Sequence, residues 1–339
     1  MAKVTYTVND DGGQKGSGVC DITASSMIFG TLSGNYAYVG LRFTSVAIAQ
    51  AATIRKATLK VHCSSISTSS GTFTIKIEDV DNAAALNTTS SDLSGRTYSA
   101  TTYTARMHDL PDGYKYFDVT ALVQAIVNRG GWSSGNAMHL SFQGAWIGSS
   151  ATIGTTEGSN ASQLSIIHGG NATSYTTFGS NTGSFTNPTN ATADDGVYAT
   201  TTDLTTATHT FYNWGFAVSG TDTIDDVVVK INANVSTNAS KSRYGMEISV
   251  DGGTNWATQK FGNQHTTTDE DIFFGGDPDA WSILPTASQV NDNTNFRARI
   301  QNDFAASNND ANLDYLAVIV YSTTGASSTT KQLAALGVG

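Results

Sequence analysis

The chain has 339 residues, 39% hydrophobic and only 14% charged, with 33 Gly, two Cys and a formal net charge of −10. Two cysteines are too few for a disulfide-built scaffold, and an acidic chain without basic clusters is poorly matched to a nucleic-acid backbone. No apolar run approaches the ~18 residues of a membrane-spanning helix, and β-branched and aromatic residues recur too evenly for general disorder.

The opening residues, Met1-Ala2-Lys3-Val4-Thr5-Tyr6, contain no apolar signal region and no cleavage site, which points to assembly in the cytoplasm. Segment 1–8 reads as an anchoring arm. Period-two patterning then takes over. In Ala57-Thr58-Leu59-Lys60-Val61-His62-Cys63 the apolar residues point one way and the polar ones the other, as in a strand with one wet face. Similar strands are expected at 39–43, 73–78, 138–142 and 163–167, with a Ser/Gly turn at 67–71. One helix is expected near 119–129, where Leu122, Val123, Ile126 and Val127 share a face, Asp118 or Thr120 can cap the start and Gly130 can end it. A polar stretch, His168-Gly169-Gly170-Asn171, reads as a linker. Beyond it strands resume at 211–218, 224–235, 244–250, 295–300 and 313–322. The spacing predicts an all-β chain of two tandem antiparallel, jelly-roll-like β-sandwich domains, 1–170 and 171–322, followed by a tail or arm at 323–339.

Candidate sites are few. Calcium takes six to eight oxygen ligands, and Asp79, Asp81 and Asn82 at a strand end are the best cluster for it; no other cofactor is implied. The histidines are scattered singly, and no HExxH, CxxC, phosphate loop or nucleophile elbow occurs, so no catalytic residues are assigned. Ser249-Val250-Asp251-Gly252-Gly253-Thr254-Asn255-Trp256 resembles an Asp-box hairpin, in which Trp256 either packs the turn down or contacts carbohydrate. Trp132 and Trp146 are further candidate stacking rings. In Phe211-Tyr212-Asn213-Trp214-Gly215-Phe216, alternation puts Phe211 on one face and Tyr212, Trp214 and Phe216 on the other, as core or subunit interface. Leu333 and Leu336 give the tail a weakly amphipathic, docking character. Cys20 and Cys63 leave their pairing open.

Two resemblances add to this. Val39-Gly40-Leu41-Arg42-Phe43, Ala51 to Leu59, Glu78-Asp79-Val80-Asp81-Asn82-Ala83, Phe117 to Gln124 and Gly131-Trp132-Ser133-Ser134-Gly135 occur in the order of a DNRLRE-like β-sandwich module, over residues 36–168. Pro188-Thr189-Asn190-Ala191, Asp194 to Ala199, Trp214 to Val218, Ile224 to Ile231 and Leu313 to Val318 resemble a sandwich module of tailed-phage virion proteins. These resemblances imply a non-enzymatic virion structural protein, a capsid decoration, fibre-like or tail-associated subunit assembled in the host cytoplasm. Its implied partners are other copies of itself, other virion proteins and a host surface glycan, with neither nucleic acid nor membrane. The alternative is a secreted or cell-surface carbohydrate-binding adhesin.

Overall fold

The computed structural model describes residues 2–30, 35–65, 71–107, 113–144, 150–156, 158, 160–169, 171–202, 207–236, 243–262, 267–276, 280–303 and 310–324. The first twelve strands are β1 (Ala2–Thr7), β2 (Asp10–Lys15), β3 (Cys20–Asp21), β4 (Ser26–Gly30), β5 (Tyr36–Phe43), β6 (Ile54–Ser64), β7 (Gly71–Glu78), β8 (Tyr98–Met107), β9 (Gly113–Asp118), β10 (Met138–Gln143), β11 (Ser150–Gly154) and β12 (Gln163–His168). Among the described residues they form one curled sheet, β1-β12-β6-β11-β4-β5-β10-β7-β8, with β9 against β6 and β2 against β5. Its inner surface closes on Phe29, Phe73, Phe117 and Phe142, whose ring centroids lie 5.4 to 6.1 Å apart in edge-on and stacked pairs. Truncating one such ring to Ala costs roughly 3–5 kcal/mol.

The helix α1 (Thr120–Val127) plugs this core with Leu122, Val123, Ile126 and Val127, as the periodicity predicts. Its start is built differently from the expected cap. Val119 occupies the capping position without a side-chain bond, Asp118 Oδ1 accepts the Thr120 N–H at 3.0 Å, and Thr120 Oγ1 accepts the Ala57 N–H at 2.8 Å. Helix and strand β6 are thereby stitched together.

The second set comprises β13 (Asn171–Ala172), β14 (Thr176–Thr177), β15 (Ser180–Gly183), β16 (Ala199–Thr201), β17 (Thr208–Tyr212), β18 (Thr223–Val235), β19 (Arg243–Ser249), β20 (Lys260–Phe261), β21 (Glu270–Gly275), β22 (Arg297–Asp303) and β23 (Ala311–Thr323), with a one-turn helix α2 (Ala287–Val290). A six-stranded sheet, β13-β23-β18-β21 with β14 and β16 also on β23, faces a five-stranded sheet, β15-β17-β22-β19-β20. From β14 to β19 the chain changes sheet at every step, the weave of a jelly roll. Phe178, Phe211, Trp214, Tyr244, Trp281 and Phe296 fill the space between the sheets. The fold is therefore all-β, two sandwiches in tandem.

Several expectations change. The strand expected at 211–218 stops at Tyr212, because Asn213 adopts φ +65°. The reversal returns Trp214 and Phe216 to the core beside Phe211 and leaves Tyr212 alone on the outer face. The expected N-terminal arm is a sheet strand: Ala2 to Thr7 pair antiparallel with His168 to Gln163. Strand β23 continues through Thr323, and Thr324 Oγ1 accepts a bond from Asn171 Nδ2 at 2.9 Å. Residues 325–339, with Leu333 and Leu336, lie outside the described residues, as does most of the expected turn at 67–71. Cys20 and Cys63 are not joined by a disulfide; Cys63 is in the core, and the Cys20 thiol faces Gln14 Oε1 and the Gly18 carbonyl.

The two sandwiches meet through their outer faces. Ile167 packs with Val228, Ile319 and Tyr321, and the Tyr321 hydroxyl donates to the Arg55 carbonyl at 3.3 Å. Consequently the face of β6 expected to be wet is not uniformly so. Lys56 and Thr58 are each only 4% exposed, and Lys56 Nζ lies 2.6 Å from Asp118 Oδ2 and 4.3 Å from the centre of the Phe273 ring.

Candidate functional site

Alternation along β17, β19 and β22 turns Phe211, Met246, Ile248, Ala298 and Ile300 into the core. It sends Thr210, Tyr212, Glu247, Arg297, Arg299 and Gln301 to the outer face of the five-stranded sheet, all half-buried. The register fixes the rungs: Tyr212 stands opposite Arg297, and Thr210 and Glu247 flank Arg299. Arg299 Nε and Nη2 both donate to Glu247 Oε2, at 2.8 and 2.6 Å. The same guanidinium lies 4.1 Å from the centre of the Trp256 ring, and that of Arg297 lies 4.8 Å from the Tyr212 ring. Towards β20 the pattern repeats, with Arg243 3.9 Å from the Phe261 ring and Gln259 Nε2 donating to Gln301 Oε1 at 3.0 Å.

Trp256 is held there by its own hairpin. Gly252 and Gly253 take φ +75° and +90°, which a side chain would resist. Asp251 accepts the Asn255 N–H at 2.9 Å, Asn255 Nδ2 at 2.6 Å and the Ser249 hydroxyl at 2.8 Å. Those donors, the Asn255 N–H foremost, pull the Asp251 carboxyl down to about 2. The turn is thus a hairpin between β19 and β20, closed by the one carboxylate of Asp251. The resulting surface combines flat apolar rings with fixed donors and acceptors, suited to the C–H face and hydroxyls of a sugar.

Of the residues singled out from sequence, the structure brings Tyr212 and Trp256 onto this one face. Trp214 is not with them: it is buried, with Nε1 donating to the Phe296 carbonyl at 3.2 Å. Trp132 is likewise core, donating to the Ile48 carbonyl at 2.9 Å, and Trp146 lies outside the described residues. The three residues expected to hold calcium have partners within the chain. Asp81 Oδ1 accepts Arg129 Nε at 2.6 Å, Asp79 Oδ1 pairs with Arg129 Nη1, and Asn82 Oδ1 accepts the Ala137 N–H at 2.8 Å. The Arg129 guanidinium thus pairs with both acids of that cluster. Among the described residues no three His, Cys, Asp or Glu side chains form a group suited to a metal ion.

The buried histidines have structural partners. His209 Nδ1 accepts the Phe185 N–H at 3.1 Å and Nε2 lies 3.1 Å from Asn181 Oδ1; burial pushes its pKa down to about 4. This fixes a neutral ring that donates from Nε2. His139 is fully buried, with Nδ1 3.1 Å from Glu78 Oε2, and burial outweighs that carboxylate to lower its pKa. The residues that sequence reasoning missed are Glu247, Arg297 and Arg299. The signal for them was the alternation of Arg297-Ala298-Arg299-Ile300-Gln301, which marks two arginines on one open face.

No family model matches the chain, and no curated protein does. Solved structures similar to it include the N-terminal CBM22-1–CBM22-2 tandem domain of Paenibacillus barcinonensis Xyn10C, at 7% identity and TM-score 0.28 over 94% of this chain and 99% of that one. PNGase F of Flavobacterium meningosepticum gives 11% and 0.27 over 96% of each chain. Infectious bursal disease virus, Gx strain, gives 13% and 0.22 over 96% of this chain and 72% of that one. Scores this low carry no argument about function, which rests on the geometry above.

Proposed function

We propose that the chain is a non-catalytic carbohydrate-binding protein of the attachment type, working outside the cell or on a surface, and that it holds glycan on the outer face of its five-stranded sheet. The observation that carries this reading is the pairing of Tyr212 with Arg297 and of Trp256 with Arg299 on adjacent rungs, beside Glu247 and Gln301. Aromatic rings supply the stacking surface, and the arginines, acid and amide supply hydrogen bonds to hydroxyls without further ordering. A printed glycan array tests it. Wild type binds a defined subset of glycans, and Trp256→Ala, folded by circular dichroism, loses at least about tenfold in affinity, equivalent to ~1.4 kcal/mol. Equal binding by both proteins, or none by wild type, refutes the reading.

A second reading is the virion subunit, with other copies and other particle proteins as partners. It is favoured by β1, which lies at the end of the curled sheet with only β12 as a strand partner among the described residues. Such an edge accepts an added strand from a neighbour through main-chain bonds. Immunogold labelling of purified particles decides it: gold on particles supports a virion subunit, and gold confined to the cell envelope refutes it.

A further inference from the structure

The outer face of the five-stranded sheet does not end at Trp256. Gly245, on the rung of Gln301, has no side chain, and Gln259 lies over it: a Cβ there would collide with the Gln259 Nε2 that donates to Gln301. One strand further, Phe261 stands opposite Gly245 on the same face, 44% exposed, with Arg243 3.9 Å from its ring centre. Trp256 lies against Arg299, on the rung between those of Arg297 and Gln301, so Tyr212, Trp256 and Phe261 form a diagonal row. Tyr212 and Phe261 are three strands and four residues apart. At the usual strand spacing and rise that is ~20 Å, the length of about four linked pyranose rings.

The row runs into a cleft. Beyond β20 a space of about 410 Å³ opens between the sandwiches, walled by β6 and β9 on one side and by β20 and β21 on the other. Gln259 and Phe261 line it from the sheet side, and Tyr114, 40% exposed, lines the opposite wall. That wall also holds Thr58, 4% exposed, whose Oγ1 has no hydrogen-bond partner among the described residues. A bound hydroxyl would supply the bond it lacks. The two carboxylates lining the cleft, Asp118 and Asp271, are held by Lys56 at 2.6 Å and Lys230 at 2.8 Å, and Arg243 stands opposite Asp303 in the strand register. Rings and hydrogen-bonding groups are therefore what the cleft offers a ligand.

We propose that the sheet face and the cleft are one continuous track, which takes an unbranched, uncharged polysaccharide lengthwise. Successive rings lie against Tyr212, Trp256 and Phe261, and the chain continues into the cleft, where Tyr114 of the first sandwich meets the next unit. The ligand thus spans five units or more and needs both sandwiches. This rests on the carbohydrate reading and adds to it the shape, charge and length of the ligand.

Isothermal titration of the full chain with trisaccharides and hexasaccharides of β-1,4-linked glucose, mannose and galactose tests this. In at least one series the hexasaccharide binds about tenfold or more tighter than the trisaccharide. Phe261→Ala and Tyr114→Ala, on opposite walls and each folded by circular dichroism, both cut that advantage by about threefold or more while trisaccharide affinity stays as in wild type. Equal affinity for the two lengths, or a length advantage that neither variant moves, overturns the track. Trisaccharide binding that is lost in Trp256→Ala, beside such a result, leaves the sheet-face reading standing and this one refuted. No binding in any series overturns the track, and an empty glycan array as well refutes both.

Discussion

Lys56 ties the two sandwiches together, and replacing it with Met isolates that role. Its Nζ sits 2.6 Å from Asp118 Oδ2 and 4.3 Å from the centre of the Phe273 ring, and the residue is 4% exposed. Methionine keeps most of the packing volume but leaves the carboxylate without its cation. Breaking a buried ion pair from one side costs about 3–5 kcal/mol. Asp118 keeps its Thr120 bonds, at 3.0 and 2.5 Å, and a fifth of its side chain reaches solvent, which places the loss at the lower end. Lys56→Met should therefore lower stability at pH 7 by about 3 kcal/mol, or about 6 °C in Tm.

The pH dependence follows from the same pair. Burial raises the Asp118 pKa, but Lys56 and the Thr120 donors outweigh it and hold the group below its ordinary value. A depressed carboxylate contributes stability above the unfolded pKa, about 3.9, and that contribution is lost as pH falls through the folded value. The deficit of Lys56→Met should thus shrink at pH 3. Urea unfolding of both proteins at pH 7 and pH 3 measures it. A deficit below about 1 kcal/mol at pH 7, or one unchanged at pH 3, would refute the reasoning.

Three further outcomes are expected. His209 is held near pKa 4 by burial, so below pH ~6.5 the unfolded chain takes up a proton that the folded one refuses, and stability falls by about 3 kcal/mol between pH ~6.5 and ~4. His209→Gln should flatten that part of the curve, leaving the share of His139, whose pKa burial also lowers; an unchanged slope in urea midpoints contradicts the assignment. Asp194, although exposed, is raised by partial desolvation and by the neighbouring Asp314, so at neutral pH the two carboxylates repel, and Asp194→Asn should raise Tm. A lower Tm in a thermal scan disproves that. Gly275 takes φ +78°, and a Cβ there would collide with Trp281 Nε1 and the Val227 carbonyl, which are bonded to each other at 2.8 Å. Gly275→Ala should cost about 2 kcal/mol or more, read as a shifted urea midpoint; a wild-type midpoint contradicts the close approach.

Where apolar alternation was strong, the fold was legible. The β6 pattern predicted which of its residues enter the core, and the four apolar residues of α1 predicted its buried face. What alternation could not show was which outer faces would be covered. Lys56 and Thr58 look like solvent residues in sequence and become interface only because Phe273 and its neighbours pack near them. Strand β2, Asp-Asp-Gly-Gly-Gln-Lys, carries no apolar pattern and is strand because β5 and β3 pair with it. At 211–216 one left-handed residue, Asn213, reversed the expected facing of Trp214. The acidic run at 78–82 offered oxygen atoms but gave no sign of Arg129, about fifty residues away, that claims them. Tyr212 and Trp256 were legible as candidates, but that they share a face depends on the long-range pairing of β17, β22 and β19.

A crystal structure of the chain bound to its best array ligand tests the carbohydrate account most directly. The account predicts a sugar ring against Trp256 or Tyr212, with hydroxyls bonded to Arg297, Arg299, Glu247 or Gln301. A glycan seated elsewhere, with the outer face of the five-stranded sheet bare, would contradict it.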